Sequence, residues 1–222
     1  LYLTEKDPWE VNNLASDPEY ADVLEELRQA CKDWMQEIKD PGLIPEPLRF
    51  ELYGNESVYD IVRQEGYPLD KIHAAAWASI SMDPEDLPTF IELLNDENPI
   101  VRYWGASGLL NLGTKAEPAA LELINHLEDE NGTVSAIAAE CLYLLGRKEK
   151  AFEGLIRCIK SDNLYLRCYA MNIIDVRNIQ DENIKKAVID LMKIANWERS
   201  NYDSWMALVL LDKWGIEYKL KS

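Results

Sequence analysis

The hydrophobic positions of this chain recur at helical spacing, and one unit of that pattern is repeated. The stretch 92–113, ELLNDENPIVRYWGASGLLNLG, reads as the end of one helix, a short turn and a second helix. The pattern returns at 127–146 and again at 159–176. The period is 33 residues from Gly113 to Gly146 and 32 residues from Val134 to Leu166. A period of this length is typical of stacked helical hairpins.

The apolar positions that align between these units predict the core of the stack. Helical stripes that recur in register cannot be buried within one hairpin, so neighbouring hairpins must cover them. Three sets of residues occupy equivalent places: Val101, Val134 and Leu166; Ala106, Ala139 and Met171; and Leu109, Leu142 and Ile174.

We therefore predict an all-α fold, an α-solenoid of about four to five helical hairpins over residues 69–215. The clearest unit has helices at 87–94 and 101–112, and Gly113 ends the second one. An alanine-rich helix at 71–81 is a degenerate first unit that caps the stack. The last unit has helices at 183–196 and 203–214, with Gly215 as C-cap, and residues 216–222 form a polar tail.

The first 47 residues follow a different pattern. Leu1 and Leu3 alternate with Tyr2, as at the end of a strand, and Asp7-Pro8 predicts a turn. Asp17-Pro18 then predicts the start of a helix. That helix ends at Asp40-Pro41-Gly42, and further prolines extend the break. We predict a linker at 48–68 that contains a short helix at 58–64.

The repeated unit resembles the HEAT repeat in its short form, D-x-x-P-x-VR-x-x-A-A-x-A-L-x-x-LG. The second copy has Ser135 where the pattern has arginine, and the third regains Arg167 but lacks the closing Leu-Gly. This resemblance implies the solenoid fold and a generic interaction surface, and it implies no chemistry. The first copy matches at Asp96, Pro99, Val101, Arg102, Ala106, Leu109, Leu112 and Gly113.

Residues 1–47 resemble the extreme C-terminal part of the sulfatase family, in which a last strand leads to a KDP-x-E-x-x-NLA turn and a closing helix. The matching residues are Leu1-Tyr2-Leu3, Lys6-Asp7-Pro8, Glu10 and Asn13-Leu14-Ala15, followed by an acidic helix ending in Trp34-Met35. Leu3-Thr4 stands where the family usually has Asp-Leu. The resemblance implies that this segment is a remnant of an α/β sulfatase domain.

The charge and hydropathy of the chain limit its partners. With 23 lysines and arginines against 40 aspartates and glutamates, its formal net charge is −17, and no basic patch is visible. Such a chain repels phosphate backbones, so we expect no nucleic-acid partner. No run of about 18 apolar residues is present, so we expect no membrane-spanning helix.

The residues needed for hydrolysis are not found in this sequence. Sulfatases use a C/S-x-P-x-R motif, and none of the four cysteines is followed by x-P-x-R. The two histidines, His73 and His126, have no partner at metal-ligand spacing, so we expect them to pack or cap helices. We predict no catalytic residue, no metal site and no cofactor in this chain.

Two charged positions predict a structural ladder between repeats. In HEAT stacks, the aspartate of one turn and the arginine that opens the second helix pair with neighbouring repeats. Asp96 and Arg102 occupy these positions, and Ser135 is expected to interrupt the ladder in the middle repeat. Charged groups that are half-buried between repeats must pair, so we interpret the ladder as structural.

The second helices of such repeats line the concave face, and the residues there are our candidate binding residues. The aligned rows are Tyr103, Ala136 and Cys168; Ser107, Glu140 and Asn172; and Leu110, Tyr143 and Asp175. Exposed aromatic residues beside polar groups suit a sugar or a protein partner, although Trp104 and Tyr169 could instead wedge between repeats. The candidates are Tyr103, Trp104, Ser107, Leu110, Glu140, Tyr143, Tyr169 and Asn172.

Two functions remain open from the sequence. In the first, the chain is a non-catalytic C-terminal module of a sulfatase, cut from a longer precursor, that contacts its own catalytic domain or another protein. The resemblance would then imply a periplasmic or secreted location. In the second, it is a free-standing HEAT scaffold that binds a protein on its concave face. The sequence does not indicate the substrate of any parent enzyme, the partner or the oligomeric state.

Overall fold

The computed structural model describes residues 1–194 and 202–218, and within these ranges all regular secondary structure is helical. The helices are α1 (Ala21–Glu37), α2 (Glu46–Tyr53), α3 (Val58–Ile61), α4 (Leu69–Ala78), α5 (Leu87–Leu94), α6 (Pro99–Leu112), α7 (Ala120–Asn125), α8 (Gly132–Leu144), α9 (Lys148–Ile159), α10 (Leu164–Val176), α11 (Glu182–Ile194) and α12 (Tyr202–Lys213). None of the described helices is both long enough and apolar enough to span a membrane.

The chain divides into two compact units. The first comprises Leu1–Pro41 and Tyr59–Asp70, and the second comprises Gly42–Val58 and Lys71–Ser222. The predicted boundary between residues 47 and 48 falls inside α2. The second unit therefore contains a segment from the N-terminal quarter of the chain as well as the repeats.

The opening residues of the first unit form local turns and not the predicted strand end. The amides of Lys6 and Asp7 both donate to the carbonyl oxygen of Leu3 at 2.8 Å, and Leu14 N–H donates to Leu1 O at 2.8 Å. The Asp7 carboxylate accepts the amide of Asn12 at 2.7 Å. Since these backbone groups are satisfied within the first 14 residues, the alternation of Leu1, Tyr2 and Leu3 does not lead to a strand.

Helix α1 begins as the sequence predicted but buries little of its apolar face. Asp17 caps the preceding turn by accepting the Glu19 amide at 3.0 Å, with Pro18 in the first turn. Met35 is its only buried residue, whereas Val23, Leu27 and Trp34 are exposed.

The second unit contains four helical hairpins in its described part: α5 with α6, α7 with α8, α9 with α10, and α11 with α12. All nine aligned apolar positions are buried, and Val101, Leu109 and Leu142 are fully inaccessible, so the predicted repeat register is confirmed. Helix α6 begins two residues earlier than predicted, because Asn98 accepts the Ile100 amide at 2.9 Å and Pro99 fits the first turn.

The helices at the ends of the repeat region correspond to the predicted ones with small shifts. The alanine-rich helix runs from Leu69 to Ala78, and Gly215 has a positive φ of 68° after the last helix, as a C-cap requires. Residues 195 and 196 of the predicted penultimate helix, and residues 219–222 of the predicted tail, lie outside the described residues.

The first residues of the segment that we predicted to be a linker, 48–53, belong to α2, which packs on the repeats. Pro45 and Pro47 indicated a break, but Pro47 occupies the first turn of α2, where its missing amide is not needed. The Phe50 ring of α2 stacks on the Tyr165 ring of α10, with centroids 3.7 Å apart and planes at 4°. The predicted helix at 58–64 is shorter, covering only Val58–Ile61.

Candidate interaction surface

The turns between paired helices carry a ladder of buried ion pairs. Arg102 Nε and Nη2 each donate to one oxygen of the Asp129 carboxylate at 2.8 Å. The Arg102 Nη1 donates to the carbonyl oxygens of Asp96 and Glu97 at 3.0 Å. Only 8% of the Arg102 side chain and 3% of the Asp129 side chain are exposed. The arginine thus ties its own turn to the next one.

The Asp129 carboxylate is stabilised in its charged form. Burial raises its pKa, but hydrogen bonds from His126 and Arg102 and from the amide of Asn131 outweigh burial and lower the pKa to about 2. His126 Nδ1 lies 2.9 Å from Asp129 Oδ2, and its Nε2 lies 3.4 Å from Asn95 Oδ1. His126 therefore supports the Arg102–Asp129 ion pair and links Asp129 to Asn95 in the preceding turn.

The ladder is interrupted where the sequence predicts. At the position of Arg102, the second hairpin has Ser135, whose hydroxyl donates to the Leu127 carbonyl at 2.6 Å. The turn before α10 also departs from the repeat pattern, because Ser161 stands at the position of Asp96 and Asp129. Arg167 resumes the pattern, since its Nε donates to the Asp203 carboxylate at 2.7 Å.

Three of the predicted binding residues meet in an aromatic cluster. Trp104 lies edge-on to Tyr103 with ring centroids 5.2 Å apart. The hydroxyls of Tyr103 and Tyr169 are 3.3 Å apart. Tyr103 lies on α6 and Tyr169 on α10, and the α8 residue equivalent to Tyr103 is the small, fully buried Ala136. Burial raises the pKa of both Tyr103 and Tyr169, so both phenols stay protonated.

The second helices of the hairpins, α6, α8, α10 and α12, form what we call the second-helix face. The segment Gly42–Val58 occupies part of this face. Trp104 Nε1 donates to the Leu43 carbonyl at 2.9 Å. At the start of α8, the Glu51 carboxylate accepts the Thr133 amide at 3.4 Å and the Thr133 hydroxyl at 3.3 Å. The periodicity of the repeats carries no sign of these contacts, because they join positions 61 and 82 residues apart.

The other predicted residues have separate surroundings. The buried Ser107 hydroxyl donates to the Tyr103 carbonyl at 2.9 Å, and Leu110 is half-buried against the core. Glu140 is buried and forms an ion pair with Arg177 at 2.9 Å. The half-buried Tyr143 donates its hydroxyl to the Arg177 carbonyl at 3.4 Å. Asn172 is the exposed member of the candidate set.

Sequence reasoning missed the part of this face that lies on α12. If Ala207 is aligned with Ala170, the period of the last repeat is 37 residues. This alignment places Trp205 in the row of Tyr103 and Val209 in the row of Asn172. Trp205 is 59% exposed and Val209 is 53% exposed. Alignment of the fourth hairpin with the first three would have identified both residues.

The cysteines offer no evident nucleophile in the repeats. Cys141 and Cys158 are buried, and burial raises the pKa of the Cys158 thiol to about 12. Because the thiolate is the reactive form, these thiols are packing groups at neutral pH. Within residues 1–194 and 202–218, no three of His, Cys, Asp and Glu are grouped as a metal site requires.

Comparison with known proteins identifies one repeat. A family model described as the HEAT repeat matches residues 87–116, the stretch that contains α5 and α6. Searches of curated proteins and of solved structures found no match. The all-helical hairpins and this match together are consistent with an α-solenoid, and HEAT repeats typically mediate protein interactions.

Proposed function

We propose that this chain is a scaffold that binds a protein partner through the exposed part of its second-helix face, on α10 and α12. One observation carries the proposal. In the first three hairpins, the members of the Tyr103 row are buried or half-buried. On α12 the same row emerges as the exposed Trp205.

The exposed residues have the composition of an interface centre. Tyr202 is 68% exposed and packs edge-on against Trp205, with ring centroids 6.4 Å apart. Val209, about one turn after Trp205, completes an exposed stripe that consists of Tyr202, Trp205 and Val209. Tryptophan and tyrosine dominate binding energies at protein interfaces because they bury large areas at small entropic cost. The Lys213–Asp175 ion pair at 2.9 Å adds a polar margin.

A photo-crosslinking residue at position 205 tests the proposal in the native cells of the protein. The same residue at Leu121, 67% exposed on α7, is the matched control. We expect a protein that is crosslinked from position 205 and not from position 121. Binding of that purified protein should weaken by about 2 kcal/mol in Trp205→Ala and change little in Leu121→Ala. Equal crosslinking from both positions would contradict the proposal.

A second candidate function is that of an accessory module of a sulfatase-like hydrolase, contacting the catalytic domain of the same protein. The exposed apolar side of α1 favours it, since Val23, Leu27 and Trp34 are 45%, 51% and 58% exposed. In the same compact unit, Trp9 is 86% exposed. A large neighbouring domain would cover such a surface.

The reading frame of the gene upstream of Leu1 tests this second candidate function. If it holds, the reading frame upstream of Leu1 continues into a domain with a C/S-x-P-x-R motif, and the purified chain alone hydrolyses no aryl sulfate. A frame that opens within a few codons of Leu1 would exclude a parent enzyme, and so would an upstream domain that lacks the motif.

A further inference from the structure

The two ion pairs of the ladder, Arg102–Asp129 and Arg167–Asp203, are built in the same way. Arg102 donates to the carbonyl oxygens of its own turn and to Asp129 in the next turn. Arg167 likewise donates to the Ser161 carbonyl at 2.6 Å and to the Asp203 carboxylate at 2.7 Å. In each case a guanidinium is held by carbonyl oxygens of its own turn and by a carboxylate of the next hairpin.

The second hairpin has no arginine at the position equivalent to Arg102 and Arg167. Ser135 is too short to reach the next turn and donates to Leu127. A cleft of about 760 Å³ opens between the turn at 129–131 and the turn at 161–163. Its lining includes Glu51, Asn131, Ser135, Arg157, Ser161 and Asp162.

A buried acceptor in the wall of this cleft lacks a hydrogen bond. Asn131 is 7% exposed, and its Oδ1 accepts no hydrogen bond from any residue that the structure describes. The equivalent Asn98 and Asn163 oxygens accept the amides of Ile100 and Tyr165, each at 2.9 Å. At Asn131 the Glu51 carboxylate takes the helix amide instead. A buried oxygen left in this state favours a ligand that donates hydrogen bonds.

The charges around the cleft also favour a cation. Glu51 and Asp162 form no salt bridge within the described residues, whereas Asp129 and Glu130 are paired with Arg102. Burial raises the pKa of Glu51, which a nearby positive charge would offset. Two basic residues line the cleft: Arg157, which is engaged by the Leu127 carbonyl and by Glu128 at 3.5 Å, and Lys160. The acidic lining residues outnumber them by four to two.

We propose that this cleft binds a guanidinium group, such as an arginine side chain from outside the chain, in the position that Arg102 and Arg167 fill in their own hairpins. A planar guanidinium carries five N–H donors, enough to satisfy turn carbonyls, the Asn131 oxygen and a carboxylate together. The cleft shares no residue with the Trp205 stripe, so this site and the proposed protein-binding surface succeed or fail independently.

Titrations followed by amide NMR test the site with defined probes. The tripeptide acetyl-Gly-Arg-Gly-amide supplies a peptide guanidinium, and agmatine supplies a free one. The citrulline tripeptide is the neutral control of the same shape. We expect saturable shifts at residues 129–135 and 161–163 with at least one guanidinium probe, and affinity for citrulline about tenfold lower or less. Binding by agmatine alone would identify the source as a small molecule, and binding by the tripeptide would identify an arginine side chain.

Two variants and a control locate the binding. Ser135→Arg supplies the missing rung from within the chain and should abolish probe binding. Asp162→Lys, an exposed change at the cleft, should weaken binding about fivefold or more even if Ser135→Arg does not fold. Glu149→Lys makes the same charge change at an exposed position outside the cleft and should leave binding unchanged.

The proposal is overturned if no guanidinium probe gives saturable shifts at these residues at concentrations up to about 10 mM. Equal affinity for the arginine and citrulline tripeptides would overturn it, and so would equal effects of Asp162→Lys and Glu149→Lys. Crosslinking at position 205 has no bearing on any of these results.

Discussion

At the scale of single residues, the Arg102 side chain is held by partners in two turns. It binds both oxygens of Asp129 and two carbonyl oxygens of its own turn. A buried pair of this kind adds little compared with an apolar replacement of both partners, but loss of one partner leaves an uncompensated charge. Its contribution is therefore best measured by removal of one side chain.

Arg102→Ala should lower the free energy of unfolding by about 3–5 kcal/mol, because Asp129 then stays buried without its main counter-charge. Lys71→Ala is the matched control. Lys71 pairs with Asp96 at 2.6 Å but is 47% exposed, so solvent screens the pair and its removal should destabilise the protein much less than Arg102→Ala. Urea denaturation of both variants measures the difference, and equal losses would contradict a structural role for the ladder.

Asp129 also gives the chain a defined sensitivity to acid. Its pKa is about 2 in the folded state against an ordinary value of 3.8, so its contribution to stability is fully present above about pH 4 and is lost as the pH falls toward 2. Asp129→Asn should therefore be less stable than the wild type at pH 7, and the difference should shrink between about pH 4 and pH 2. A difference that does not vary with pH would contradict this assignment.

At the scale of elements, the α5/α6 hairpin depends on two glycines that let the helices approach closely. A Cβ at Gly105 would lie 2.4 Å from the Leu94 backbone nitrogen. One at Gly108 would lie 2.5 Å from the Phe90 ring. The first contact is with backbone and cannot be relieved by a rotamer change.

Gly105→Ala should destabilise the protein by about 1–3 kcal/mol, although alanine favours the helix by about 1 kcal/mol. Forcing α5 and α6 apart outweighs the gain in propensity. Thr114→Ala, at an exposed position just after α6, is the control and should change stability by about 0.5 kcal/mol or less. Thermal unfolding compares the two, and a stabilised Gly105→Ala would show that the two helices are not in close contact here.

At the scale of the whole molecule, the sequence predicted the features that recur in each hairpin and missed the contacts that occur only once. Periodicity identified the buried positions of the hairpins and the break at Ser135, because both are local patterns that recur. It gave no sign that α2 lies on the second helices, since Glu51 and Thr133 are 82 residues apart in the chain. Likewise, no pattern of the repeats indicated that the candidate residue Trp104 on α6 donates to the Leu43 carbonyl of that distant segment.

Phe50→Ala should loosen α2 from the repeats, because the ring stack on Tyr165 is lost. We expect a loss of about 1–3 kcal/mol in the local free energy of opening, since Phe50 is only partly buried. Hydrogen exchange at the Thr133 amide, which donates to Glu51, reports this opening directly. Leu52→Ala, on the exposed side of α2, should leave that exchange rate nearly unchanged.

The contact between Tyr103 and Tyr169 has a consequence for how the array unfolds. In most repeat proteins each unit touches only its neighbours, so terminal units can melt one at a time. Here two hydroxyls 3.3 Å apart join the first and third hairpins directly, over the second. The stack of Phe50 on Tyr165 adds a connection from outside the repeats. Partly melted forms of these three hairpins must break such contacts early, so the three hairpins should unfold as one cooperative block.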